Sequence, residues 1–318
     1  MKNFYIDSKL NNVDMETIFK SVQSAKCLSV LQFEYGNVNS LDYISGNRAI
    51  NEGIIHISEI SDSGKVNSLK ITNSSRSYVF FSDGDILEGG KQNRLLNTSV
   101  FIGPNSITII PVSCVERGRW NYSRRNFKPS DFYAPSLLRK VKNIDVQRSL
   151  RNDKSFSSKQ SKVWEEIQYR QTDHNKHSKT LDMTNLFSDM PVDFDKFVNR
   201  FKITEKANGA AIFFKNNLIS LDVYNRTDIY KEYFKKLITS SAIEIYRMNL
   251  EEKPEETVLL NKTEIFLDEF ENNPKNINEP VGEGIDLRLQ TGNIIGSSLQ
   301  FNSEIVHLNI SELKNPVI

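Results

Sequence analysis

Between Ile54 and Val112 short β-branched or aromatic runs alternate with polar turns, and this alternation constrains the fold more than any other feature of the chain. Ile54-Ile-His-Ile-Ser-Glu-Ile, Val66-Asn-Ser-Leu-Lys-Ile and Ser77-Tyr-Val-Phe-Phe are separated by Ser61-Asp-Ser-Gly and Asn73-Ser-Ser-Arg. Leu96 to Ile102 and Ile107 to Val112 form a further pair across Gly103-Pro-Asn-Ser, a strong turn signal. Runs and turns at this spacing predict an antiparallel sheet or sandwich.

A short helix is expected over Leu41 to Glu52, with Ser40 as N-cap and Gly53 as stop. Helical spacing recurs over Ser136 to Arg151, Ser157 to Tyr169 and Phe194 to Phe201, and over Thr227 to Met248 and Lys262 to Asn272. Ala210 to Phe214 and Leu218 to Tyr224 read as a hairpin turning at Asn216-Asn217. The tail returns to strands over Gly284 to Leu289, Ile294 to Phe301 and Glu304 to Asn309. The expected class is α+β: an antiparallel β-rich core, sheet or sandwich, with a helical middle section and C-terminal strands. The expected organisation is a β-rich domain over 1–225 with a helical insert at about 131–202, and an α+β extension over 226–318 packed on the same core.

Charge narrows the partners. The 41 basic and 40 acidic residues leave a formal charge of +1, which disfavours nucleic acid as the main partner. A local basic patch at Arg117, Arg119, Arg124, Arg125 and Lys128 reads mostly as a solvated loop. The opening MKNFYIDSKL lacks the apolar core of a signal peptide, and no stretch approaches the roughly 18 apolar residues of a membrane span. Cys27 and Cys114 are too few for a disulfide framework. A soluble, cytoplasmic protein is the expectation, with no membrane partner and no oligomeric state specified.

Within the sheet region lies a block, Ser82 to Trp120, whose polar density exceeds what a fold requires. Asp83, Asp85, Glu88, Lys91, Gln92, Asn93, Arg94 and Asn97 crowd around Gly84, Gly89 and Gly90, and an apolar run then ends in Cys114, Glu116, Arg117, Arg119 and Trp120. On extended backbone Asp83 and Asp85 would face one side, suiting a divalent cation or an acid/base pair; a β-turn at Ser-Asp-Gly-Asp is the simpler alternative. Glu88 could join them. Glycines beside Lys91, Gln92, Asn93 and Arg94 could cradle a phosphate or carboxylate, although the spacing is neither a Walker A loop nor a dinucleotide fingerprint. Cys114 is a nucleophile only with a base nearby, for which His56 and His307 are candidates, and otherwise a buried structural thiol. Glu116 is either catalytic or bridged to Arg94, Arg117 or Arg119, and Trp120 could stack on a base. His174 and His177 lack further ligands for a metal, and Gly282-Glu-Gly-Ile-Asp with Arg288 reads as a strand-entry turn.

Phe81-Ser-Asp-Gly-Asp, Gly90-Lys-Gln-Asn-Arg, Asn97-Thr-Ser-Val and Ile110-Pro-Val-Ser-Cys-Val-Glu-Arg-Gly-Arg-Trp together resemble the signature of a bacterial family. It is the ARG- and rhodanese-phosphatase-superfamily-associated protein domain, ARG standing for ADP-ribosylglycohydrolase. Ile57-Ser-Glu-Ile-Ser, Gly64-Lys-Val-Asn-Ser-Leu, Gln160 and Trp164 extend the likeness, which runs from about Asn37 to Tyr224. The chain departs at Asp85, where glutamate is expected, at Gly89-Gly90, and at Arg117, where glutamine is common. The resemblance implies a link to ADP-ribosylglycohydrolase-type proteins and to ADP-ribose or NAD metabolism, and hence a small nucleotide-like ligand. Three functions stay open: an enzyme using Asp83, Asp85, Glu88, Cys114 or Glu116; a sensor or sequestering module binding through Lys91 to Asn97 and Arg117 to Trp120; and a structural or interaction protein whose block is a buried polar network.

Overall fold

A computed structural model describes residues 17–61, 64–174, 180–187, 190–248 and 250–314. The expected α+β class holds: large antiparallel sheets, helices between them in sequence, and strands at the C-terminal end. One sheet has eight strands, in the order Thr17–Ala25, Leu28–Tyr35, Gly209–Phe214, Asn217–Tyr224, Glu304–Glu312, Ile294–Phe301, Ile285–Gln290 and Asn276–Asn278. The second has six: Arg124–Tyr133, Asp85–Gly90, Arg94–Leu96, Ser106–Cys114, Ser68–Asn73 and Ile55–Glu59. Ile44–Ser45, Val79–Phe81 and Val100–Ile102 make a small third sheet, its first pair parallel.

Period-two alternation explains why the eight-stranded sheet is covered on both faces. Leu28, Val30, Ala210 and Ile212 point into the central core, where Phe80, Tyr133 and Tyr233 meet them. Leu31, Phe33, Ala211 and Phe213 point the other way, onto Leu259, Phe266 and Phe270 of the helix Glu256–Asn272. The leucine, valine, isoleucine and phenylalanine side chains each contribute about 1.5–3 kcal/mol when fully buried. A third core lies in the six-stranded sheet, around Ile57, Ile71, Leu87 and Val112.

Several expectations shift at their edges. The first helix is Gly46–Asn51, capped by the Ser45 hydroxyl on the Arg48 N–H, so the cap lies five residues beyond Ser40. The hairpin forms, but it turns at Lys215-Asn216, one residue before the expected Asn216-Asn217, and Lys215 takes the left-handed backbone (φ 52°). Arg124, Arg125 and Lys128, read with Arg117 and Arg119 as mostly a solvated loop, lie on the strand Arg124–Tyr133 and face out, while its Phe127 and Tyr133 are buried. Leu96 to Ile102 divides between two sheets, because Asn97 to Ser99 leave the ladder. His177 lies outside the described residues. Among the described residues no helix is long and apolar enough to cross a membrane.

Candidate functional site

The polar block divides into a closed half and an open half. Asp83 sits in a turn, not on extended backbone: the Asp85 N–H closes it onto the Ser82 carbonyl at 3.0 Å. Gly84 at φ 147° is required there, since a Cβ would lie 2.7 Å from the Tyr133 ring. The turn therefore separates the two carboxylates and sends them to different partners.

Asp83 receives Arg139 Nη2 at 2.9 Å and has Lys142 Nζ at 3.7 Å. Both cations come from the helix Ser136–Asp153, whose buried face is unusually polar. Arg139 also grips Asp222 through two bonds, at 2.6 and 3.1 Å. Asp222 accepts from Ser220 and Asn309 as well, and lies 3.2 Å from His307 Nε2. His307 Nδ1 is 2.8 Å from Ser99 Oγ, which accepts the Asp83 N–H. An Nε2–H tautomer satisfies the whole chain: Ser99 donates to His307, and His307 donates to Asp222. Its connectivity is that of a hydroxyl–imidazole–carboxylate relay, but all three side chains are buried in the core.

Charge balance keeps this network ionised. Although burial opposes charge on both carboxylates, Arg139 holds Asp83 and Asp222 below the usual range. Burial pushes Lys142 down to about 8. Asp83, Asp222 and His307 offer three ligand atoms within 4.8 Å of one another, a spacing a divalent cation could use. The guanidinium of Arg139 already stands between the two carboxylates, however, so a metal would have to displace a buried permanent cation. Asp85 has a separate cage: it accepts from Ser82 N–H and the Tyr233 hydroxyl, with Lys236 3.9 Å away. Burial raises its pKa.

The open half is built at the end of the six-stranded sheet. Arg94 is fully buried, with Nη1 donating to Gln92 and Cys114 Sγ at 3.2 Å each and Nη2 reaching Glu59 at 3.4 Å. Glu59 also accepts the Lys91 N–H at 3.0 Å. Gly90 (φ 52°) makes this approach feasible, because a Cβ would lie 2.2 Å from Phe127 and 2.8 Å from Glu59. The close approach that the glycines permit is thus to protein side chains. Glu116 takes a bidentate clamp from Arg119, at 2.7 and 2.6 Å, and the Asn93 N–H at 3.1 Å. Asn93 donates onward to Asp182. Burial pushes the Cys114 thiol up to about 11, so it is protonated at neutral pH.

Above this floor the surface is aromatic and basic. Trp120 and Tyr122 are 40% and 39% exposed, and their rings lie 5.5 and 5.4 Å from the Lys91 ammonium. Arg94 lies under the Trp120 ring and Arg125 over Tyr122. Beside them opens a cleft of about 370 Å³ lined by His56, Ser58, Glu59, Tyr122, Arg125 and Asn126.

Lys91, Gln92, Asn93, Arg94, Cys114, Glu116, Arg119 and Trp120 are therefore brought together, while Asp83 and Asp85 are held in the closed half. Three candidates join neither: Glu88 pairs with Lys128 at 2.8 Å, Asn97 bonds Phe156 and Ser113, and Arg117 lies over the Trp164 ring. His56 lines the cleft, and His307 serves Asp222. Sequence reasoning missed Arg139, Lys142 and Asp222 altogether. A carboxylate inside the apolar run Leu218 to Tyr224 was the available signal for Asp222; nothing marked the helix cations. Glu59 and Tyr122 were also missed as site residues, although Glu59 falls within a motif of the family resemblance.

No curated protein and no solved structure matches the chain. The family model described as the ARG and Rhodanese-Phosphatase-superfamily-associated Protein domain, ARPP-1, matches residues 16–311, nearly the whole chain, and the protein belongs to that family.

Proposed function

We propose that this protein binds an ADP-ribose- or NAD-derived ligand at the open half of the block. The observation that carries this reading is the pair of half-exposed rings, Trp120 and Tyr122, set around the Lys91 ammonium beside a cleft of about 370 Å³. Such rings stack on a base, and Lys91, Arg119 and Arg125 can neutralise a diphosphate. The cleft volume falls within the ~300–1,000 Å³ usual for small-molecule sites. A family description that couples the domain with ARG proteins supports the ligand class.

Titrating ADP-ribose and NAD while following indole fluorescence and thermal unfolding tests the proposal. Saturable quenching is expected, with stabilisation of about 2.7 kcal/mol at 100 times the dissociation constant. Product analysis with and without Mg²⁺ separates an enzyme from a sensor: turnover marks the first, binding alone the second. No saturable response to either ligand overturns the reading.

For the closed half we infer a structural role. Its favouring observation is that Asp83, Arg139 and Asp222 are buried and bonded to one another. In this reading they pin the six-stranded region to the eight-stranded sheet and leave ligand contact to the open half.

A further inference from the structure

Many surface cations of this molecule are paired: Lys20 with Glu34, Lys128 with Glu88, Lys162 with Asp145, Lys215 with Glu252 and Lys262 with Glu312. Around one hollow they are not. Lys202, Lys231 and Lys235, all exposed, rim a cavity of about 240 Å³ whose lining includes Phe201, Phe234 and Ile238. Among the described residues no acidic side chain lines it, and none of the three ammonium groups has an ion-pair partner.

Both walls are fixed. Lys231 and Lys235 are four residues apart on the helix Thr227–Ile245, so they share a face, an arrangement that like charges disfavour without a counter-ion. The opposite wall is pinned by its backbone. The Lys202 carbonyl accepts from Gln23 and Gln32, its N–H donates to Gln23, and the Thr204 N–H donates to Gln32. This pinning holds Ile203 37% exposed at the rim. A preformed hollow with an apolar floor and an unneutralised basic rim spares a ligand most of the ordering cost of binding.

We propose that this hollow binds a small organic anion, its apolar body against Phe201 and Phe234 and its terminal carboxylate or phosphate among Lys202, Lys231 and Lys235. A volume below the ~300–1,000 Å³ of drug-sized sites limits the ligand to a short chain or a single ring. The site is independent of the one at Trp120.

Calorimetric titration of the full chain with hexanoate, hexyl phosphate and 1-hexanol tests it. Saturable binding of at least one anion is expected, at least tenfold tighter than 1-hexanol and weakened by added salt. Whichever anion binds tighter identifies the headgroup. The Lys231→Gln/Lys235→Gln variant changes only exposed side chains and should keep its thermal midpoint while losing at least tenfold in anion affinity. Absence of saturable binding by both anions, equal affinity for 1-hexanol, or unchanged anion affinity in the double variant would each overturn the proposal.

Discussion

The two halves of the Ser82–Trp120 block use the same residue types to opposite ends. In the closed half Asp83 and Asp222 share Arg139, and every member is buried. In the open half Glu116 and Arg119 form an equally short bidentate pair, but the arginine is 19% exposed and lies near two half-exposed rings. Burial is the difference. A charge taken fully from water is tolerated only while its partner stays, whereas a charge at a rim can exchange its partner for a ligand or for solvent.

Removing one partner from each half should therefore give unequal results. Asp222→Ala leaves Arg139 and His307 without their shared acceptor and should destabilise the fold by about 3–5 kcal/mol in urea unfolding. An Asp222→Ala protein of near wild-type stability would show that the closed half is not what ties the sheets together.

The next effect is set by pH. Glu244 lies under the same helix that carries Arg139: Oε1 accepts the Leu137 N–H at 2.6 Å, capping a helix that has no side-chain cap of its own. Burial, joined by the Glu166 carboxylate, outweighs the pull of Arg170 and Lys140 and raises Glu244 from 4.5 to about 7. The folded state thus holds a proton that the unfolded state releases. This stabilising contribution is fully present below about pH 4.5 and is lost as pH rises through about 7, a change of about 3 kcal/mol. Glu244→Gln should flatten that decline between pH 5 and 7.5, as read from urea midpoints. The closed network titrates elsewhere: the depressed Asp83 and Asp222 lose their contribution only as pH falls below about 4. Identical pH profiles for wild type and Glu244→Gln would place the proton on another group.

How much of this was legible in the sequence follows from the same contrast. Strand alternation and helical spacing are local patterns, so the Gly209–Tyr224 hairpin and the three C-terminal strands from Ile285 to Glu312 could be read from them. The open half was legible because its members lie close along the chain. Lys91, Arg94, Cys114, Glu116 and Trp120 converge when Arg94–Leu96 pairs with Ser106–Cys114. The closed half was not. It joins Asp83 to Asp222 through Arg139 of a helix, and Asp222 to His307 across two paired strands 85 residues apart, and its cations sit on the buried face of a helix where apolar residues are expected. Arg124–Tyr133 was hidden for a related reason: an edge strand with one wet face carries charges that resemble a loop.

A smaller loss should follow from Glu116→Gln, which weakens the Arg119 clamp and the bond from the Asn93 N–H. Because water reaches Arg119, we expect a loss of about 2 kcal/mol together with tighter binding of an anionic ligand, which no longer competes with Glu116 for Arg119. The measurement is a paired one, urea stability and ADP-ribose affinity on the same variant. Loss of stability with unchanged affinity would detach this clamp from the ligand site.

Trp120→Ala should have the smallest effect on the fold and a clear one on the ligand. The ring is 40% exposed, and its contacts with Lys91 and Arg94 are cation–π approaches at 5.5 and 5.7 Å, together worth about 1–2 kcal/mol at such a site. Stacking on a nucleotide base contributes about 1–3 kcal/mol, so affinity for ADP-ribose should fall about tenfold or more. Thermal unfolding and fluorescence-independent calorimetry on Trp120→Ala and Tyr122→Ala separate the two quantities. Should Trp120→Ala unfold the protein as readily as Asp222→Ala, the rim would be as structural as the core. Should it leave both stability and affinity untouched, the ligand would have to sit away from the rings, in the His56–Asn126 cleft or elsewhere.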